Sequence, residues 1–157
     1  MNLKLELVCE EALLWAALPV DRGTLRALVE CLWRRAGKLH EEGRIDGVPC
    51  AVTLALLTDG QIAAVNSAAL GVPGPTNILS FPGTDYEDEA ELALAVETLL
   101  RESVLYGQEP ADHLVRLLAH GLLHVCGLDH GERMEACQTV LEEAGRAVVS
   151  SSDRTWA

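Results

Sequence analysis

The sequence contains no C-x-x-C pair, half as many basic as acidic residues, and no apolar run near the roughly 20 residues that a membrane helix needs. Each shortage excludes something. The five cysteines, Cys9, Cys31, Cys50, Cys126 and Cys137, are odd in number. That argues against a zinc ribbon or a disulfide framework and for reduced, buried thiols. With 12 Lys and Arg against 24 Asp and Glu the net charge is −12. Broad binding to a phosphate backbone draws on Lys and Arg, so DNA is not an expected partner. The first residues, MNLKLELVCEEALLW, carry acids within their apolar positions, unlike a secretory signal. With neither leader nor membrane span in view, the expected location is the cytoplasm, with no membrane partner.

The 157 residues are 49% apolar and 23% charged, the profile of one soluble domain with a full core. Half of the basic residues fall between 22 and 44: Arg22, Arg26, Arg34, Arg35, Lys38 and Arg44. DYEDEAE, residues 85–91, is an acidic loop. Alternation in LKLELVCE (3–10) predicts a strand, and helical spacing of apolar residues predicts a helix over 21–43 that ends before Gly43. VPCAVTLALLTD (48–59) reads as a buried strand closed by an Asp59–Gly60 turn. A short helix over 61–70, a rigid loop over 71–75 and a strand over 77–82 follow. Residues 90–97 read as a fourth strand leading into a helix through Tyr106. Pro110 opens a helix that reaches Gly127, and 132–149 is amphipathic and helical. No repeat, linker or second core is visible. The expected fold is α+β, a single domain over 1–157 with about four strands in a mixed sheet packed against several helices. Residues 150–157 read as a loose tail.

HGLLHVCGLDH, residues 120–130, places three histidines and an aspartate in an apolar run. His120 and His124 are four apart, which puts them on one helix face with Cβ atoms about 5–6 Å apart. Two imidazoles so spaced can hold one small cation. A third ligand on the same straight helix would point away, and Gly127 removes that difficulty. A glycine adopts the left-handed conformation that ends helices, so His130 can return toward the other two. Three neutral nitrogen donors with an open position describe a catalytic metal site. The spacing matches the zinc-peptidase pattern H-E-x-x-H-x-x-G-x-x-H, but Gly121 stands where that pattern has its general-base glutamate. A protease is therefore disfavoured. Asp129 reads as a fourth ligand, a turn residue or, the preferred assignment, a group that orients a histidine or positions water. Cys126 reads as core packing. His113 and His40 read as surface residues.

The same stretch resembles the signature of the YbeY family of bacterial metal-dependent endoribonucleases. PTNILSFP (75–82) is similar to the loop and strand of that family, and LALLTDGQIAAVN fits before it. The resemblance covers roughly residues 50–145 in the family's order. It implies a single α+β domain holding one zinc ion, or another divalent transition metal, on a helix and the turn after it. His120, His124 and His130 would be the ligands. It also implies metal-activated hydrolysis of RNA phosphodiesters in 16S rRNA 3′-end maturation and ribosome quality control, with the small ribosomal subunit or its factors as partners. Two departures stand out. Leu70 falls where the family is expected to carry an arginine, and no Lys or Arg occurs in NSAALGVPG (66–74). Glu91 sits near the position of an expected aspartate.

The residues assigned to RNA beyond the histidines are Asn77 and Ser80, as lining of a substrate groove, and the basic helix segment Arg34, Arg35 and Lys38. Two other functions fit the same sequence. One is a ribosome-associated binding protein whose metal stabilises the fold, favoured by the net charge and the missing basic residues. The other is a metal-dependent hydrolase of a substrate that is not a nucleic acid.

Overall fold

A computed structural model describes residues 2–85 and 88–153. Four strands, β1 (Lys4–Val8), β2 (Ala51–Leu57), β3 (Ile78–Phe81) and β4 (Glu89–Ala95), form one mixed sheet in the order β1-β2-β4-β3. The pairs β1–β2 and β2–β4 are parallel, and β3 runs antiparallel to β4. The helices are α1 (Ala12–Ala17), α2 (Arg22–Glu41), α3 (Asp59–Leu70), α4 (Val96–Tyr106), α5 (Pro110–Val125) and α6 (Glu132–Asp153).

Side-chain alternation along β4 explains the layering. Ala90, Leu92 and Leu94 join the main core with α2, α5 and α6, while Ala93 and Ala95 pack with Ile62 of α3 and Leu79 of β3. The sheet is therefore covered on both faces at the C-terminal half of β4, where residues 92–95 are a continuous buried apolar run. On α2, Leu25, Leu28, Val29, Leu32, Trp33, Ala36 and Leu39 form the buried stripe. Each fully buried leucine of this kind contributes on the order of 1.5–3 kcal/mol. The Trp33 indole, also buried, donates to the Pro49 carbonyl at 2.7 Å, so its polar atom is satisfied.

Two local expectations are corrected. Asp59 and Gly60 are not a turn; they are the first residues of α3. Thr58 caps that helix, its hydroxyl accepting from the Gln61 N–H at 3.2 Å while its own N–H donates to Gln61 Oε1 at 2.9 Å. This reciprocal pair satisfies two donors at once and outcompetes the Asp-Gly turn tendency. Helix α6 continues through Asp153, beyond the expected end at 149, while 154–157 lie outside the described residues. The short helix α1 was not legible as a separate element.

Candidate metal centre

Helix α5 begins with Pro110 at its first turn, where a missing N–H costs nothing and φ is already helical. Its buried face, including Leu114, Val115, Leu118, Leu122 and Leu123, locks it onto the core. His120 and His124 lie on the opposite, half-buried row, one turn apart. The helix closes at Cys126. Gly127 donates to the His124 carbonyl and Leu128 to the Leu123 carbonyl, each at 3.1 Å. These paired bonds form a Schellman motif with buried Leu128 as its apolar anchor. The motif needs a left-handed residue, and Gly127 has φ +97°. A β-carbon there would also stand 2.6 Å from Asp46 Oδ2. The reversed chain then returns His130 to the other two histidines.

One donor nitrogen from each of His120, His124 and His130 can be chosen so that all three lie within 4.8 Å of one another. The His120 and His124 Nε2 atoms are 3.0 Å apart. Ring centroids lie 4.5 Å apart for His120–His124, 5.4 Å for His120–His130 and 5.1 Å for His124–His130. Nitrogens bound tetrahedrally at about 2.0–2.1 Å stand about 3.3–3.4 Å apart, so the His120–His124 pair is within a few tenths of an ångström of that spacing and His130 completes a donor set that can close on one ion. Two facing lone pairs at such a distance repel unless a proton or cation lies between them.

The tautomers also suit a ligand role. His120 Nδ1 lies 3.0 Å from Gln138 Oε1 on α6. An amide oxygen only accepts, so Nδ1 carries the hydrogen, and in the neutral tautomer that this bond selects Nε2 has the lone pair. Burial pushes the His124 imidazole below its ordinary range. Proximity to His120 and His130 adds to the lowering and outweighs the opposing effects of the Leu128 backbone and Asp129. His124 is thus held neutral, the state that coordinates.

Two clefts meet at the histidines. One, of about 600 Å³, includes Asn77, Glu102, Tyr106, Arg116, His120 and His130. The other, about 590 Å³, includes Leu70, Asn77, Ser80, His120, His124, Asp129 and His130. Asp129 and His130 are exposed, so the donor set opens to solvent. Asn77 lines both clefts and Ser80 the second, and both side chains have partners. Asn77 Nδ2 donates to Glu102 at 3.1 Å, and its Oδ1 accepts from the Ile78 N–H at 2.7 Å. The Ser80 hydroxyl donates to the Gly121 carbonyl at 3.0 Å. Leu70 is 56% exposed at the mouth of the second cleft, where the sequence places it against the expected arginine.

The basic segment of α2 lies apart from both clefts. Arg34 and Lys38 line a separate groove with Trp33 and Val48, which shares no lining residue with them. Arg34 also pairs with Glu30 at 3.6 Å. Cys126 is fully buried and its thiol is pushed up to about 12 by burial, so it packs as a neutral side chain.

His113 is a correction. It is 3% exposed rather than on the surface, with Nε2 3.0 Å from Glu102 Oε1. His40, also expected at the surface, is half-buried with Nδ1 3.1 Å from the Ile45 carbonyl oxygen. Gln138, Glu102 and Asp46 were missed entirely. Each acts on the site from another element, which no local spacing announces.

Gly121 has a packing explanation. A β-carbon there would stand 2.7 Å from Ile78 Cδ1, 3.2 Å from Ser80 Oγ and 3.3 Å from Leu92 Cδ2. Helix α5 therefore crosses β3 and β4 at a distance that excludes the glutamate of zinc peptidases.

The profile of the endoribonuclease YbeY family matches residues 20–150, a span that includes the three histidines, both clefts and most of the core. The chain belongs to the YbeY family. Endoribonuclease YbeY of Nitratidesulfovibrio vulgaris is 42% identical over 117 residues, covering 61% of this chain and 72% of that protein. Endoribonuclease YbeY of Rhodospirillum rubrum is 38% identical over 111 residues, covering 64% of this chain and 56% of its own length. A Chelativorans relative of the same name is 34% identical over 145 residues, covering 87% of this chain and 82% of its own. The solution structure of TM1509 from Thermotoga maritima superposes with a TM-score of 0.61 over 94% of this chain and 93% of that one. At 19% identity that likeness bears on the fold, and it supports the single α+β domain. The YbeY family is one of endoribonucleases, enzymes of the hydrolase class, in line with what the resemblance implied.

Proposed function

We propose that this chain is a zinc-dependent, single-strand endoribonuclease acting in the cytoplasm on the 3′ end of the 16S rRNA precursor, in maturation and quality control of the small ribosomal subunit. The observation that carries the reading is the set of three histidine nitrogens within 4.8 Å, open to two clefts, in a chain of the YbeY family.

His120, His124 and His130 would hold the ion. When bound, zinc supplies Lewis acidity and lowers the pKa of water to about 7. The protein's own groups do the rest. Gln138 fixes the His120 ring so that its free nitrogen faces the other two. Asp129, exposed beside His130 in the second cleft, orients the attacking water or takes its proton. Asn77, held by Glu102, and Ser80 form the wall along which the strand lies. Arg34, Arg35 and Lys38 give a longer RNA a remote electrostatic contact.

The test is cleavage of a 16S rRNA 3′-precursor fragment by the purified protein. Cleavage should stop with a chelator and return with added zinc. A protein fully loaded with metal that leaves the RNA intact would overturn the enzymatic reading and favour a ribosome-binding role, to which the net charge of −12 already lends some support.

A further inference from the structure

The first cleft contains two side chains that the mechanism above does not use. Tyr106, the last residue of α4, is 59% exposed and lines the cleft with His120 and His130. Its ring meets His113 at 6.0 Å between centroids with the planes at 84°. Whichever ring presents its edge, at least one face of the phenol stays uncovered by that contact. His113 is itself fixed by Glu102, so the ring has a rigid support.

Arg116 is the other. It precedes His120 by four residues on α5, so Arg116, His120 and His124 form one row, with about 6 Å of rise per step. It is exposed, and no hydrogen bond or ion pair engages it among the described residues. Of the residues lining the two histidine clefts it is the one Lys or Arg. Three carboxylates share its cleft. Glu102 is committed to Asn77 and His113, and Glu142 pairs with Arg146 at 3.6 Å, which leaves Glu135 as the remaining acid. A phosphate entering this side of the site has Arg116 as its cationic partner.

We infer that the cleft between α4, α5 and α6 is a nucleotide subsite beside the histidine centre, in which Tyr106 stacks a base and Arg116 pairs with a phosphate next to the scissile one. The inference rests on the RNA substrate proposed above. Arg116 holds the neighbouring phosphate and does not replace a donor at Leu70, so the single strand crosses the histidines from the Leu70 cleft toward Arg116. A stacking face accepts any base, so the subsite confers grip and register with little sequence preference.

The experiment uses the metal-loaded enzyme and a short, fluorescent, cleavage-resistant phosphorothioate oligoribonucleotide, with affinity read by anisotropy across a salt series. Arg116→Ala should weaken binding and reduce the slope of log K against log salt by about 0.7, the share of one phosphate contact on a single strand. Tyr106→Ala should weaken binding about 5- to 150-fold, whereas Tyr106→Phe, which keeps the ring, should bind like the wild type. Both side chains are exposed, so metal content by elemental analysis should be unchanged in all three. If the wild type binds while Arg116→Ala and Tyr106→Ala bind equally well with an unaltered slope, the subsite is wrong and the nuclease reading stands. Loss in Tyr106→Phe equal to that in Tyr106→Ala would overturn the stacking role. A wild type that neither binds nor cleaves RNA overturns the proposed function and this inference together.

Discussion

Gln138 Oε1 on α6 lies 3.0 Å from His120 Nδ1 on α5, so one helix sets the tautomer of a ligand carried by another. Hydrogen bonds of this kind hold the ring in its coordinating orientation and raise its basicity. Gln138→Leu should lower zinc affinity by about 10- to 100-fold while leaving the helical content intact. Competition with a chromophoric chelator gives the affinity, and circular dichroism checks the fold. Equal affinity in the variant would show that α5 alone orients His120.

Gly127 is constrained twice, by φ +97° and by the Asp46 carboxylate 2.6 Å from where a β-carbon would lie. The left-handed backbone alone costs about 1–2 kcal/mol for a residue with a side chain. Gly127→Val should therefore melt earlier and bind zinc more weakly, although no ligand has changed. In Gly127→Ala, adding Asp46→Gly should recover only the part of the loss due to the clash, since the carboxylate and the β-carbon at 3.0 Å are both removed while the left-handed backbone remains. A Val variant with wild-type melting temperature and zinc affinity would contradict the geometry of the turn.

Leu70 is exposed at the mouth of the second cleft, so an arginine there would reach solvent without disturbing the core. The isolated wild-type protein should cleave RNA weakly when fully loaded with metal, since losing one preorganised donor costs about 10²- to 10³-fold in rate. Leu70→Arg should raise cleavage and RNA affinity and steepen the salt slope by about 0.7. An already active wild type, with a Leu70→Arg variant of unchanged rate and slope, would show that the charge is fully supplied elsewhere.

Asp59 ties α3 to α4. It accepts from Thr98 Oγ1 and pairs with Arg101, each at 2.7 Å. Burial raises its carboxyl pKa, but hydrogen bonds from Arg101 and Thr98 and the Arg101 charge outweigh this and hold it below the usual 3.8. A folded value below the unfolded one gives stability that is present above 3.8 and lost as the pH falls through the folded value. Arg101 is half exposed, so solvent screening limits the contribution to about 1 kcal/mol or less. Asp59→Asn should be slightly less stable at neutral pH, and the gap should close in acid. Urea denaturation across pH measures it, and a gap that widens in acid would contradict the assignment.

Signals carried within a few residues were legible in the sequence. His120 and His124 are related by helical repeat and His130 by a turn glycine, so the donor set needed no knowledge of distant contacts. The strands of the sheet showed the same locality through their apolar runs. His113 was misread because polarity argued for the surface. Its partner Glu102 sits 11 residues earlier on another helix, and only the packing of α4 on α5 makes its burial affordable. The Asp59–Gly60 turn failed because two local signals competed and the Thr58–Gln61 cap won. Nothing in the run around Gly121 announces Ile78, which reaches it from β3 and explains the absent glutamate.

The central claim is that His120, His124 and His130 together hold one metal ion. Elemental analysis of the purified wild type and of His124→Ala, after matched dialysis against trace zinc, tests it most directly. The account predicts about one zinc per wild-type chain and almost none in the variant, because two donors remain where tetrahedral zinc needs at least three from the protein. Full occupancy in His124→Ala would contradict it.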